Sequence, residues 1–336
     1  MAERNRSIDI FRYIGAIMVV AIHTNPFKDI DDRLGYIFTQ IVPRIAVPFF
    51  FIVAGYFYIN GLCTKKEVFL PYVKRLLKTY TLWSLVYFAI DFLRWGHQNI
   101  KGFIANCLYS FLIIGSHYHF WFFPALFFSI CITTIIYKFR LQKLLLPVSI
   151  ILYAIGCLGC SYYSLGMRIP VLLKLFSSQS FTLIRRILLM AFPFFAAGSL
   201  VGIIENFAKK HKISNSIFAI ALLGAFGCWL LEIYFVIHYH LQNNIIITFG
   251  LYILTVMVMV FLLKFPMPQA RVISQQCRFL ADFTYYAHPL VIILLTYVAN
   301  MIGYIPMSET LMFILTVAST WAVGMWFAHY KKTHRE

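Results

Sequence analysis

Acid is scarce in this chain. Its 336 residues hold 12 Asp and Glu against 29 Lys and Arg, and charged residues make up only 12%. A soluble domain carries about 25% charge, so no water-facing globular body is expected. The net charge of +17 does not point to nucleic acid, because no soluble face gathers the cations. Cysteine pairs with zinc-ligand spacing are missing too. Of Cys63, Cys107, Cys131, Cys157, Cys160, Cys228 and Cys277, only Cys157 and Cys160 form a C-x-x-C. That pair sits in an apolar run beside Gly156 and Gly159, where small residues at a helix contact explain it better than redox chemistry or metal. No metal site is expected. The first apolar run is interrupted by Asp9 and Arg12 and lacks a clean small-x-small cleavage site, so it is expected to stay as a membrane helix. No clear inverted repeat of the transporter kind is visible.

What is abundant is apolar. Hydrophobic residues make up 61%, aromatics 18%, and the mean hydropathy is +0.78. Apolar runs long enough to span a bilayer number about ten. They lie near 8–25, 35–60, 77–95, 117–139, 144–164, 184–207, 215–237, 243–264, 281–302 and 308–329. The expected fold is an all-α, polytopic integral membrane protein of about ten helices around a polar cavity, as one domain over 1–336. The stretch 100–115 is shorter, and reads as an amphipathic or re-entrant segment. The 165–183 loop, with Gly166, Pro170 and a Ser177-Ser178-Gln179-Ser180 patch, is expected to be flexible. Basic residues alternate from loop to loop, 19 on one side against 8 on the other, with Arg12 and Arg44 inside the runs. The positive-inside rule then puts both termini in the cytoplasm.

The first run, Arg6 to His23, carries the chemistry: R-S-I-D-I-F-R-Y-I-G-A-I-M-V-V-A-I-H. Ionisable groups in a membrane span are costly, so they usually face protein or a wet cavity. Arg12 and His23 are eleven residues apart. At ~100° and 1.5 Å per residue that places them on one face, ~16 Å apart along the axis. Asp9 lies one turn before Arg12 and is expected to pair with it. Arg44 lies just inside the second run. Pro43 and Pro48 interrupt the helical ladder there, so a broken or kinked half-span is expected. His117-Tyr118-His119-Phe120-Trp121 opens the fourth run; on a helix the two histidines would face apart. His288-Pro289 falls within the ninth run. Asp91 and Glu232, near the ends of the third and seventh, are expected to be exposed at the interface.

An arginine, ten residues and a histidine in the first span, with Asp three residues before the arginine, resembles the membrane-bound acyltransferase 3 family. Arg44 to Tyr56, R-I-A-V-P-F-F-F-I-V-A-G-Y, is similar to that family's V-P-x-F-F-x-x-S-G-[YF] segment, with Ala54 where the family has serine. H-F-W-F-F at His119–Phe123 and Y-Y-A-H-P at Tyr285–Pro289 follow in the expected order. The resemblance implies an integral-membrane O-acyltransferase that moves an acetyl or short acyl group from acyl-CoA to a hydroxyl. The implied acceptor is a cell-envelope glycan or related molecule, and the implied location a bacterial plasma membrane. It makes Arg12 and His23 the pair required for activity.

Acyl transfer needs a base for the hydroxyl proton, groups that steady an oxyanion, and a hold on the donor's phosphates. His23 suits the first, since imidazole ordinarily titrates near neutrality. Arg12 would contact the donor, with Asp9 orienting it. Lys74-Arg75-Leu76-Leu77-Lys78 resembles the family's basic segment, so Arg75 and Lys78, with Arg12 and Arg44, are the expected acyl-CoA contacts. His119, Trp121 and His288 are the expected acceptor contacts. No permanently bound cofactor is expected; acetyl-CoA is a donor substrate. A transporter of a small anionic or zwitterionic solute, such as an amino acid, is the alternative, with Arg12 on a carboxylate and His23 as a proton relay.

Overall fold

A computed structural model describes residues 5–64, 67–267, 271–303 and 307–333. Arg4, Lys65, Lys66 and Arg335, counted among the loop cations, lie outside the described residues, as do the side chains of Arg271, Lys331 and Lys332. The described chain is helical, with no strand in it. Its main helices are α1 (Arg6–Thr24), α2 (Asp32–Thr64), α3 (Phe69–Arg94), α4 (Ile100–Ile114), α5 (Phe122–Lys138), α6 (Gln142–Leu158), α7 (Phe181–Lys210), α8 (Asn215–His238), α9 (Phe249–Lys264), α10 (Arg271–Met301) and α11 (Glu309–Thr333). Each of the ten apolar runs overlaps one of these. Seven helices among the described residues are long and apolar enough to cross a membrane; α4, α5, α6 and α9 are shorter.

The chain divides into two compact units, one of Met1–Phe50, Ile213–Ala225 and Met257–Glu336, the other of Phe51–Lys212 and Phe226–Val256. In the first, α1 packs along α10, and α10 along α11. The Asn5 side chain caps the start of α1 by accepting from the Ile8 amide. It also donates to the Leu262 carbonyl at 2.8 Å, and Ser7 donates to the Phe265 carbonyl at 2.6 Å. At the other end Asn25, at φ 51°, closes the helix in the left-handed conformation that asparagine tolerates, and Pro26 prevents its continuation. The following loop is tied to the start of α11. The Phe27 amide donates to Thr310 Oγ1 at 2.8 Å, and Thr310 donates to Asp29, a bond that holds the Asp29 carboxyl below its ordinary range. The expected break before Pro48 is present: a π turn over Ile37–Ile41 and a 3-10 turn over Val42–Ile45 precede the regular helix.

In the second unit α7 packs on α5 and α6. Phe192, Phe194, Phe195, Ala196 and Ala197 of α7 are all buried. Between helices in lipid there is no hydrophobic drive, and close packing through small residues takes its place. Gly55 and Gly198 supply it. A Cβ on Gly55 would lie 1.8 Å from the Phe195 carbonyl oxygen, and one on Gly198 would lie 2.2 Å from the Tyr56 nitrogen. Both obstacles are backbone, which cannot rotate away. Gly55→Ala is therefore expected to lower the melting temperature of the detergent-purified protein, at an overpacking cost of about 1–3 kcal/mol. An unchanged melting temperature would mean that the two helices separate freely.

Three expectations change here. The 165–183 loop is folded: short helices at Tyr163–Gly166 and Pro170–Phe176 carry Phe176, which packs with Phe181 and Leu189 in a buried cluster. Glu232 is not left at the interface. It accepts from the Phe249 amide at 2.8 Å, from the Gly250 amide and from the Tyr162 hydroxyl at 3.0 Å, so it caps the start of α9. The eighth run begins as helix only at Phe249. Before it the chain from Leu241 is non-helical and sinks inward, with Ile247 and Thr248 fully buried and their carbonyls taken by Ser161 and Tyr153.

Candidate active site

The register of α1 against α10 builds the first site. Asp9 Oδ2 accepts from Ser274 Oγ at 2.9 Å, Arg12 Nη2 donates to Asp282 Oδ1 at 2.8 Å, and the His23 ring stacks on the His288 ring at 5.4 Å and 21°. The three contacts advance in the same sense along both helices, so α1 and α10 run parallel. Alternating crossings one and nine would do the same.

Two of these contacts correct the sequence reading. Arg12 is ion-paired to Asp282, 270 residues away, rather than to Asp9 one turn earlier. The cause is direction: side chains on a helix point across to the packed neighbour as readily as along their own face, and α10 presents a carboxylate there. Asp9 is buried, 4% exposed, and serves the α1–α10 contact through Ser274. Asp282 was missed by sequence reasoning. Its signal was present, since an acid inside an apolar run of a chain with 12 acids asks for a partner.

His288 is fully buried in α10, and its Nδ1 lies 3.1 Å from the Thr284 carbonyl and 3.0 Å from that of Tyr285. Carbonyls only accept, so Nδ1 carries a proton. His23 and His288 are thus an imidazole pair at the end of the face that Arg12 begins. Between them, the V-P-F-F block packs onto α1. A Cβ on Gly15 would meet the Phe50 ring at 3.0 Å, Phe11 meets Phe49 at 4.6 Å, and Phe50 meets Tyr285 at 6.3 Å. The glycine lets the aromatic ring approach the backbone between the two ionisable residues. Arg44, at the 3-10 turn, donates to the Gln40 carbonyl at 3.3 Å and to its side chain.

The remaining expected residues fall in the second unit. Lys74, Arg75 and Lys78 are exposed in the first turns of α3, and the Arg75 guanidinium lies 5.4 Å from the Tyr72 ring. His117, His119 and Trp121 do not open a helix. They lie in a turn of 115–121 between α4 and α5, which Gly115 enters at φ 99°, with the Trp121 nitrogen 2.3 Å from where a Cβ would sit. Freed from helical geometry, the two imidazoles turn toward each other, with Nδ1 atoms 3.3 Å apart. This corrects the expectation that they face away.

The turn packs against the middle of α3. Phe103 of α4 meets Phe92 and Trp95 near the end of α3 at 5.5 and 5.1 Å, whereas Phe111 stacks on Tyr80 at 4.6 Å. Ser116 then bonds Ser84 at 2.6 Å, His117 stacks on Tyr87 at 4.4 Å, and Phe123 stacks on Tyr80 at 4.8 Å. By helical rise Tyr87 is ~14 Å from Lys78 and ~10 Å from Arg94. Irregular backbone at that level is tolerated only where protein buries it or a wet cavity meets it. The stretch 100–115, expected to be amphipathic or re-entrant, is the short helix α4, which ends in this turn.

No group of three or more potential metal ligands occurs among the described residues. Apolar helices of bilayer length carrying an ion pair and an imidazole pair define a multi-pass membrane protein with a polar site. The acyltransferase domain model of the acyltransferase 3 family matches residues 5–329, and the chain belongs to that family. It is similar to an amino-acid racemase of Enterococcus faecalis, 32% identical over 233 residues, covering 67% of this chain and 33% of the relative. It is also similar to a serine/alanine racemase of Enterococcus gallinarum, 31% identical over 178 residues, covering 50% and 25%. The chain therefore spans a third or less of the curated relatives it matches. No solved structure matches it.

Proposed function

We propose that this chain is an integral-membrane O-acyltransferase that takes an acetyl or short acyl group from acyl-CoA to a hydroxyl of a cell-envelope glycan or related acceptor. The observation that carries the reading is the α1 face, with Arg12 anchored by Asp282 and His23 stacked on His288, in a chain of this family. His23 takes the hydroxyl proton as the acceptor oxygen attacks the thioester carbonyl. The C–S bond then breaks, and the proton passes from His23 to the departing CoA sulfur. Arg12 contacts the donor and steadies negative charge. We assign the donor phosphates to Arg75 and Lys78, with Arg44 a further donor contact, and the acceptor contacts to His119, Trp121 and His288.

Lys74, Arg75 and Lys78 also suit a plain topology anchor. Replacing Arg75 and Lys78 together with Gln is expected to weaken acyl-CoA binding at least tenfold in protein that inserts normally. Unchanged binding in an equally inserted variant assigns them to topology alone. We place both termini in the cytoplasm from the loop cations, and take the bacterial plasma membrane from the family resemblance. A reporter fused after Glu336 should then be active only in its cytoplasmic form, and activity of a periplasm-only reporter there overturns the orientation.

The relatives' names favour a second reading, in which the domain binds or carries an amino acid, with Arg12 on its carboxylate. Acyl-CoA titration of the purified chain separates the two. Saturable donor binding with acyl transfer supports the first, and solute flux in proteoliposomes without donor binding supports the second.

A further inference from the structure

Arg185 and Arg186 begin the π-helical turn Arg185–Ala191 within α7, one of the long apolar helices. Both are half-buried. The Arg186 guanidinium lies 5.4 Å from the Trp121 ring and that of Arg185 lies 5.9 Å from the Phe181 ring. Among the described residues neither has a carboxylate within ion-pair distance, whereas Arg12 and Lys209 each have one. Two adjacent guanidinium groups so placed keep most of their hydrogen-bond donors for something outside the chain.

Their surroundings are built rather than loose. Arg185 reaches the Cys160 thiol, which also meets the Asn244 side chain. Asn244 belongs to the inward-sinking segment before α9, pinned by the Asn243 amide on the Cys160 carbonyl at 3.0 Å and by Ser161 on the Ile247 carbonyl at 2.6 Å. Trp121 is fixed from the other side by the Gly115 turn. Lys209 and Lys210 occupy the far end of the same helix, ~36 Å from Arg185 by helical rise, so this pair is separate from the basic cluster there.

We propose that Arg185 and Arg186 form a binding site for a phosphate-bearing group. A single carboxylate satisfies one guanidinium fork. A phosphate presents several anionic oxygens and can meet both. The phosphate can come from a lipid headgroup or from the acceptor itself. Naming it an acceptor subsite rests on the acyl-transfer reading; the binding of phosphate does not.

The test uses the full chain in a neutral detergent, stripped of phospholipid and without acyl donor. The probes are inorganic pyrophosphate, dioctanoylphosphatidylglycerol and, as a phosphate-free control, dioctanoylglycerol. Binding is read from the emission of Trp121, taken as the difference from Trp121→Phe. A saturable response to at least one phosphate probe and none to dioctanoylglycerol is expected. Response to the lipid alone assigns the site to a headgroup, and response to pyrophosphate as well assigns it to phosphate from either source. R185Q/R186Q is expected to lose at least tenfold in affinity and R185K/R186K less, because lysine keeps the charge but loses the fork. K209Q/K210Q, in the basic cluster at the far end of the helix, should respond as wild type. Without probe, R185Q/R186Q should melt at or above wild type, since it removes charge that no protein carboxylate balances. Absence of any saturable response, an equal response in R185Q/R186Q, or a response to dioctanoylglycerol as strong as to the phosphate probes overturns the proposal. So does a double variant that melts well below wild type, which assigns the arginines to holding the fold. Because no donor is present, failure here is distinct from failure of acyl transfer at His23.

Discussion

His23→Ala should reduce acyl transfer by roughly 10²–10⁴-fold, the usual cost of losing a positioned base, while leaving acyl-CoA affinity close to that of wild type. The split follows from the geometry. His23 sits in the last turn of α1, about three turns from Arg12, so the side chain that would meet the donor's charge is not the one that would take the acceptor's proton. His23 is half-buried and held by its stack on His288. Its removal leaves the α1–α10 contacts through Asp9 and Arg12 in place, and the melting temperature should move little. His288 gives the contrasting case. Its Nδ1 proton is committed to the Thr284 and Tyr285 carbonyls, so His288→Ala removes a fully buried ring and two bonds. Loss of stability together with turnover is expected there. The measurement is single-turnover product formation beside donor affinity on monodisperse protein. Near-normal turnover in His23→Ala discards His23 as the base. Loss of donor binding in that variant makes it a binding residue, and the base is then sought at His288 or His119.

The parts of this site readable in the sequence were those set by local geometry. Helical periodicity alone puts Arg12 and His23 on one face, and the apolar runs with their basic flanks mark the helices. The turn at 115–121 was not readable, because it depends on Gly115 adopting a positive φ at the end of the short stretch 100–115, so that residues 117–121 leave the helix expected of the fourth run. The two histidines consequently meet where a helix would have parted them. The start of α9 was misread for a similar reason. The run was expected from 243, because Ile245, Ile246 and Ile247 extend its apolar stretch, yet Glu232 on the preceding helix takes the amides of Phe249 and Gly250 and fixes the first turn there. Partners hundreds of residues away, Asp282 for Arg12 and Ser274 for Asp9, leave no trace in spacing. They appear only once α10 lies beside α1.

That last pairing sets the second large expected effect. Arg12→Ala should lower acyl-CoA affinity at least tenfold and turnover with it, and Asp282→Asn should do part of the same by releasing the guanidinium. Stability should hardly change in either variant. The side chains are 29% and 47% accessible, and an ion pair that opens into a water-filled site contributes about 0–1 kcal/mol. Asp9 should behave in the opposite way. It is buried and accepts from Ser274, so Asp9→Ala leaves a buried hydroxyl without that acceptor, at a cost of about 1–3 kcal/mol. It should lower the melting temperature and leave donor affinity intact where the protein stays folded. Asp282→Glu keeps the charge and should restore donor binding toward wild type, which a purely structural carboxylate would not require. Arg12→Lys keeps the charge and loses the fork, and should fall between wild type and alanine. Donor affinity that is unchanged in Arg12→Ala removes the arginine from the donor site. Affinity that falls in Asp9→Ala but not in Asp282→Asn would restore Asp9 as the residue that orients Arg12, against the geometry found here.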